Sequence, residues 1–181
     1  PANAGLSDTG IELVRLMEKH HVTVDLSHAG ERSTLEAMEM AEKPQIFSHS
    51  NPMGLFRHPR NITDEQAKKC AATGGVIGVS TYNVTLWDGE HFPTLDTFLN
   101  CLCYYCDLVG VEHVGIGLDT TATEGCYSRA EIRYFAKLIR KTCGNDAVSY
   151  KAFSQDRPPV NAFSVEGLAS MANWVNLIDG M

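Results

Sequence analysis

The sequence predicts an α/β fold with parallel strands, and three observations carry that prediction. Short β-branched runs alternate with segments of helical period, which is the pattern of βαβ units. Signals of the form Ser/Thr-x-x-Glu/Gln stand before several of the helical segments, where capping boxes belong. The 181 residues are 44% hydrophobic and 20% charged, enough apolar side chain to build about one folded domain.

The elements follow in the order αβαβαβαβαα. Thr9-x-x-Glu12 opens a first helix through Met17. Residues 22–28, Val-Thr-Val-Asp-Leu-Ser-His, are β-branched and bounded by polar residues, a first strand. Ser33-x-x-Glu36 opens a second helix with Leu35, Met38 and Ala41 on one face, and Pro44 stops it. Residues 45–49 form the next strand, and 51–61, with two prolines and a glycine, a loop. Thr63-x-x-Gln66 opens a third helix that ends at Gly74-Gly75. Residues 76–82 are a third strand. Thr94 precedes a helix over 95–109, and Gly110 fits its C′ position. Residues 113–119 are a fourth strand. Ser128-x-x-Glu131 opens a helix through Arg140, a long loop covers 144–164, and 165–178 reads as helical. Three crossovers fit an open doubly wound sheet or a closed barrel. Gly115 and Gly117 do not open a helix as G-x-G-x-x-G, so they make no dinucleotide fingerprint.

Composition excludes other classes. The chain is too apolar to be disordered, and its glycines and prolines show no collagen period. A net charge of -7 argues against nucleic acid or an anionic membrane as the main partner. No 18-residue apolar window exists, so no transmembrane segment is expected. No basic-then-apolar leader is visible either, which leaves the compartment open and favours the cytoplasm. Of six cysteines, Cys101, Cys103 and Cys106 form C-x-C-x-x-C inside the helix over 95–109. Cys103 and Cys106 share a face there with Leu99 and Leu102, so core packing is expected over metal or disulfide.

The informative polar residues fall at strand ends. Strand one ends at His28, strand two at His49, strand three near Tyr82-Asn83 and strand four at Asp119. In parallel α/β folds these C-terminal ends line one rim, which carries the site. Two imidazoles suit zinc, and an aspartate can ligate or move protons. Hydrogen-bonded core histidines are the bland alternative. Arg60, in the loop after the second strand, could hold a carboxylate bidentately or be a solvated charge. His20 and His21 read as surface residues at the opposite rim. His91 and His113 have no evident partner, and Asp25, in mid-strand, reads as structural.

The segments V-D-L-S-H (24–28), P-Q-I-F-S-H-S (44–50), H-P-R-N-I-T-D-E (58–65), G-G-V-I-G-V (74–79) and H-V-G-I-G-L-D (113–119) resemble the membrane (renal) dipeptidase family of zinc peptidases. His49 follows His28 by 21 residues and Arg60 follows His49 by 11, as in that family. The resemblance implies part of a (β/α)8 TIM-like barrel: about four parallel strands with crossover helices, residues 1–181 being a single partial domain, the barrel's second half. It implies hydrolysis of dipeptides with two zinc ions in the complete site. His28 and His49 would ligate one zinc, Arg60 would hold the substrate's C-terminal carboxylate, and Asp119 would pass a proton to the leaving amine. The family's His-x-Asp pair, its metal-bridging Glu and a substrate-contacting His belong upstream of Gly5. Where the family often continues Phe-Asp-Gly after the aspartate, Thr120-Thr121-Ala122 stands here. The chain alone is therefore expected to carry part of the site, completed by a second copy or by a polypeptide with the N-terminal half. Two alternatives remain: another amidohydrolase-like barrel hydrolase, or a catalytically incomplete fragment or binding module. Arg60 separates the first from dipeptidases, because only a substrate with a free α-carboxylate calls for it.

Overall fold

The computed structural model describes residues 3–119, together with 134, 137, 165, 168, 175 and 178. Its fold is mixed α/β. Every β pairing among the described residues is parallel, and the four sheet segments pair in chain order. Most of the helices expected over 128–140 and over 165–178, and the loop over 144–164, lie outside the described residues. Two compact units divide the chain. One holds the residues up to Leu55, Pro59–Ser80 and Cys101–Gly117; the other holds Phe56–His58, Thr81–Asn100 and the described residues from Leu118 onward.

In the first unit, helix α1 spans Asp8–Lys19, with Ser7 rather than Thr9 as its cap. The Ser7 hydroxyl accepts the Gly10 amide at 3.1 Å, and Asp8 in the first turn complements the helix dipole. Helix α2 spans Glu31–Glu39 and starts before the expected Ser33, at Gly30, which has no capping side chain. Its cap comes from elsewhere: the Asn3 side-chain carbonyl accepts the Arg32 amide at 2.9 Å. Helix α3, Asp64–Ala72, carries the expected capping box, with Thr63 accepting from the Gln66 amide and Gln66 from the Thr63 amide. Gln66 Nε2 also donates to the buried Thr34 hydroxyl at 2.7 Å, which ties α3 to α2.

Strand β1 spans Ile77–Val79 and pairs with β2, Val114–Ile116, in the register Ile77–Val114 and Val79–Ile116. The expected strands over 22–28 and 45–49 contract to short pairings. Leu26 donates to Ile46 and Ile46 to Val24, and Gly78 donates to Phe47 at 2.7 Å. His28, with φ of 69°, is left-handed and ends the first extended run. Val24 and Leu26 are buried while Asp25 is exposed, the alternation of a strand with one covered face. Central β1 is buried throughout. His113 sits in a 3-10 turn ahead of β2, and its ring nitrogen meets the Gly75 carbonyl at 2.8 Å, so it has a structural partner after all. Gly78 and Gly117 permit a close approach: a Cβ on either would enter the carbonyl of Ser48.

In the second unit, Thr81 donates both its amide and its hydroxyl to the Leu118 carbonyl. Val165 in turn donates to Thr81 at 3.1 Å, and Val165 and Leu168 are fully buried. Helix α4 spans Leu95–Val109, with residues 95–100 counted in the second unit and 101–109 in the first. Its buried stripe is Phe98, Cys101 and Tyr105, spaced i, i+3, i+7. Cys103 is exposed and Cys106 only half-buried, so the face expected to be core is not. The four described cysteines are free thiols. Among the described residues no helix is long and apolar enough to cross a membrane.

Candidate functional site

Two neighbouring parallel segments, 24–28 and 46–50, build the centre of the site. Both carry a Ser-His pair, at 27–28 and at 48–49. The left-handed backbone at His28 costs on the order of 1–3 kcal/mol, a strain that proteins keep mainly where it positions a side chain. Here it brings His28 to His49. Their Nε2 atoms stand 2.9 Å apart, with ring centroids at 4.9 Å and planes tilted by 59°.

Behind His49 lies a polar cluster. Asp25 Oδ1 accepts the amides of Ser27 and Ser48 at 3.0 and 3.1 Å. Asp25 Oδ2 accepts the Ser48 hydroxyl at 2.5 Å, and the same hydroxyl oxygen lies 2.7 Å from His49 Nδ1. Ser27 Oγ accepts the His49 amide at 3.1 Å. Partial burial pulls the Asp25 carboxyl up, but the hydrogen bonds from Ser48 and Ser27 outweigh it and hold the group below its ordinary value of 3.8. Asp25, expected to be structural, holds the Ser27 and Ser48 segments together. The available signal was spacing: in Asp-Leu-Ser, positions 25 and 27 share one strand face.

Arg60, half-buried, lines a cavity of about 250 Å³ together with His28, Glu31, Ser50, Asn61 and Gln66. The Ser50 hydroxyl is buried and has no hydrogen-bond partner among the described residues, an open position for a polar ligand atom. The first unit thus brings together His28, His49 and Arg60. Asp119 belongs to the second unit, directly after Leu118, and is exposed with φ of 56°. His20 and His21 are exposed at the end of α1, as expected of surface residues. No group of three or more His, Cys, Asp or Glu side chains that could hold a metal ion stands together among the described residues. The two facing imidazoles supply two nitrogen donors of the kind zinc takes.

The chain is 36% identical over 119 residues to dipeptidase verJ of Clonostachys rogersoniana, covering 66% of this chain and 30% of that protein. It is 34% identical over 116 residues to an uncharacterized dipeptidase of Schizosaccharomyces pombe, covering 64% and 28%. The matches thus span about a third or less of these two relatives. Among solved structures, an amidohydrolase from Pseudomonas aeruginosa superposes with a TM-score of 0.74 at 29% identity, covering 98% of this chain and 52% of that one. A metallopeptidase from Rhodobacter sphaeroides, liganded with a phosphinate mimic of the dipeptide L-Ala-D-Ala, shares the fold at a TM-score of 0.58 and 22% identity, over 97% of this chain and 47% of that one. Residues 1–149 match the membrane dipeptidase family, peptidase family M19, and the chain belongs to that family.

Proposed function

We propose that these residues are part of a zinc-dependent dipeptidase, about half of a (β/α)8 barrel, in which His28 and His49 hold one of two zinc ions. The carrying observation is the approach of the two Nε2 atoms beside a cavity that also holds Arg60. Zinc–nitrogen bonds of about 2.0–2.1 Å at a tetrahedral angle set ligand nitrogens roughly 3.3 Å apart. The 2.9 Å separation needs to open by only a few tenths of an ångström, so the pair fits the ion. A zinc ion there supplies Lewis acidity to a peptide carbonyl and to water.

The protein's own residues supply the rest. Arg60 receives the dipeptide's C-terminal carboxylate in a two-pronged hydrogen bond, which fixes the scissile amide relative to His28. The Ser50 hydroxyl, short of a partner, takes a polar atom of the same small ligand. Asp119 would take a proton from the attacking water, whose oxygen joins the carbonyl carbon, and pass it to the amide nitrogen as the C–N bond breaks and the amine leaves. The dipeptide mimic bound by the Rhodobacter sphaeroides metallopeptidase supports this substrate class.

The test is release of free amino acids from a simple dipeptide by the protein that contains these residues, with zinc content measured in parallel. Zinc-dependent release, abolished by His28→Ala and by His49→Ala, is the expected result. Undiminished turnover in His49→Ala would overturn the reading. The 181-residue chain by itself is expected to bind zinc weakly and to hydrolyse no dipeptide, since three protein ligands are usual at a catalytic zinc. The structural likeness to an amidohydrolase favours one second reading, another amidohydrolase-like barrel hydrolase, acting on lactones, phosphotriesters or cyclic amides. Preference for a C-terminally blocked substrate over the free dipeptide would select it.

A further inference from the structure

The single proton of the Ser48 hydroxyl fixes where His49 carries its own. Three polar atoms surround Ser48 Oγ: Asp25 Oδ2 at 2.5 Å, His49 Nδ1 at 2.7 Å and Ser27 Oγ at 3.3 Å. An ionised aspartate can only accept, and 2.5 Å is the length of a hydroxyl donating to a carboxylate. The Ser48 proton therefore goes to Asp25. Toward His49 Nδ1 the same oxygen can then only accept, so the proton of a neutral His49 sits on Nδ1. That leaves the Nε2 lone pair bare and turned toward His28. The frame is held by backbone: Asp25 Oδ1 is fixed by two amides, and the His49 amide is fixed on Ser27 Oγ.

We propose that Asp25 and Ser48 are positioning residues that lock His49 in its Nδ1-protonated tautomer and so keep Nε2 available to a metal. The inference rests on the reading of His49 as a zinc ligand. Metal-bound histidines commonly have their second nitrogen held by a carboxylate or carbonyl. Here a serine hydroxyl stands between the carboxylate and the ring, and it transmits the polarity of Asp25 to His49.

The experiment is long-range 1H–15N NMR of the metal-free 181-residue chain, with the His49 signals assigned by their loss in His49→Ala. In the wild type the proton is on Nδ1. In Asp25→Asn the two backbone amides keep the side-chain oxygen in place, so the new NH2 faces Ser48 Oγ and donates to it. The Ser48 hydroxyl then turns to the nearer of its two remaining partners, His49 Nδ1 at 2.7 Å rather than Ser27 Oγ at 3.3 Å, and the tautomer shifts to Nε2–H. Ser48→Ala removes the acceptor and relaxes the ring to a mixture, while Ser48→Thr keeps the Nδ1 proton. Titration of the complete enzyme with Co2+ alone gives a second readout: affinity falls about 10–100-fold in Asp25→Asn and Ser48→Ala and is retained in Ser48→Thr. A purely structural role would weaken metal binding without inverting the tautomer.

A wild-type His49 protonated on Nε2, or an Asp25→Asn variant that leaves the proton on Nδ1, overturns the proposal. Should Asp25→Asn not fold, an unchanged tautomer in Ser48→Ala overturns it equally. A wild type with the Nδ1 proton in place whose complete enzyme has no affinity for Co2+ would overturn the metal reading alone and leave the tautomer lock standing.

Discussion

Gly117→Ala is the sharpest test of how the strands hold His49. An alanine Cβ at 117 would enter the Ser48 carbonyl oxygen, and it would lie 2.9 Å from the Ser48 carbonyl carbon and 3.2 Å from His49 Cα. Ordinary contact begins at 3.4 Å, so the 48–49 backbone must retreat by about 0.5 Å or more, against atoms that are backbone and cannot rotate away. Overpacking of this kind costs about 1–3 kcal/mol. In a chain of this size each kcal/mol lowers Tm by about 2–4 °C. The displacement also carries the His49 ring away from His28, so Co2+ affinity should fall together with stability. Gly115→Ala is the control on the same strand. Its Cβ would meet Val76 Cγ1 at 3.2 Å, the end of a side chain that is 38% exposed and able to yield, and the Ile77 carbonyl oxygen at an ordinary 4.0 Å. That change should stay within about 0.5 kcal/mol. Urea unfolding followed by circular dichroism measures both variants. If Gly117→Ala matched Gly115→Ala in midpoint, the close approach of strand to carbonyl would not exist and the reasoning would fail.

Further expectations follow from single interactions. Arg60→Lys in the complete enzyme keeps the charge and loses the two-pronged hydrogen bond, costing about 1–3 kcal/mol in kcat/KM for free dipeptides and less for C-terminally blocked ones; equal losses would make Arg60 structural. Thr63→Ala should cost about 1 kcal/mol as a lost helix cap, and Gln66→Ala more, because it also removes the bond to buried Thr34; urea midpoints in the reverse order would contradict this. The amides of His91 and Glu90 hold the Asp88 carboxyl down at about 2, and the Asp88 side chain in turn raises His91 above its ordinary 6.5. The Asp88 contribution is thus present above the ordinary carboxylate value of 3.8 and lost as pH falls toward 2. The His91 contribution is complete below 6.5 and lost as pH rises through its raised value. An NMR titration of His91 should show a midpoint above 6.5 that drops in Asp88→Asn, and an unmoved midpoint would deny the pairing. Burial pushes the Cys70 and Cys101 thiols up to about 11 and about 12, so iodoacetamide at about pH 8 should label exposed Cys103 and spare both until the chain unfolds, as peptide mass mapping will show.

Local signals were legible where the structure satisfies them locally. Thr63 and Gln66 form their box within four residues, and the pattern named both partners. At α2 the same pattern pointed to Ser33, but the orphan amide of Arg32 is satisfied by Asn3, 29 residues away. A cap that arrives through tertiary structure leaves no mark in the local sequence. The apolar run of α4 misled for a different reason. Apolar residues surround much of that helix, so its period alone does not choose between the Phe98–Cys101–Tyr105 stripe and the one through Leu99, Leu102, Cys103 and Cys106. Strand lengths were over-read because β-branched residues favour extended backbone, whereas pairing stops where His28 turns left-handed.

The positions of His28 and His49 could be read from strand ends, but the relay behind them needed the register. Parallel pairing sets Asp25 against Ile46, an offset of 21 residues. The same offset separates Ser27 from Ser48 and His28 from His49. One register therefore lays the Ser-His of the first segment beside the Ser-His of the second and fixes both contacts, the Oγ atoms at 3.3 Å and the Nε2 atoms at 2.9 Å. Side chains two apart on a strand share a face, so Asp25 falls beside Ser27 and within reach of Ser48 on the neighbouring segment. The 21-residue spacing is thus a pairing register before it is a ligand spacing. A shift by one residue would send the two imidazoles to opposite faces and break the Asp25–Ser48–His49 chain together with the His28–His49 contact. The site and the sheet are specified by the same few residues, and a change that disturbs one should be felt in the other.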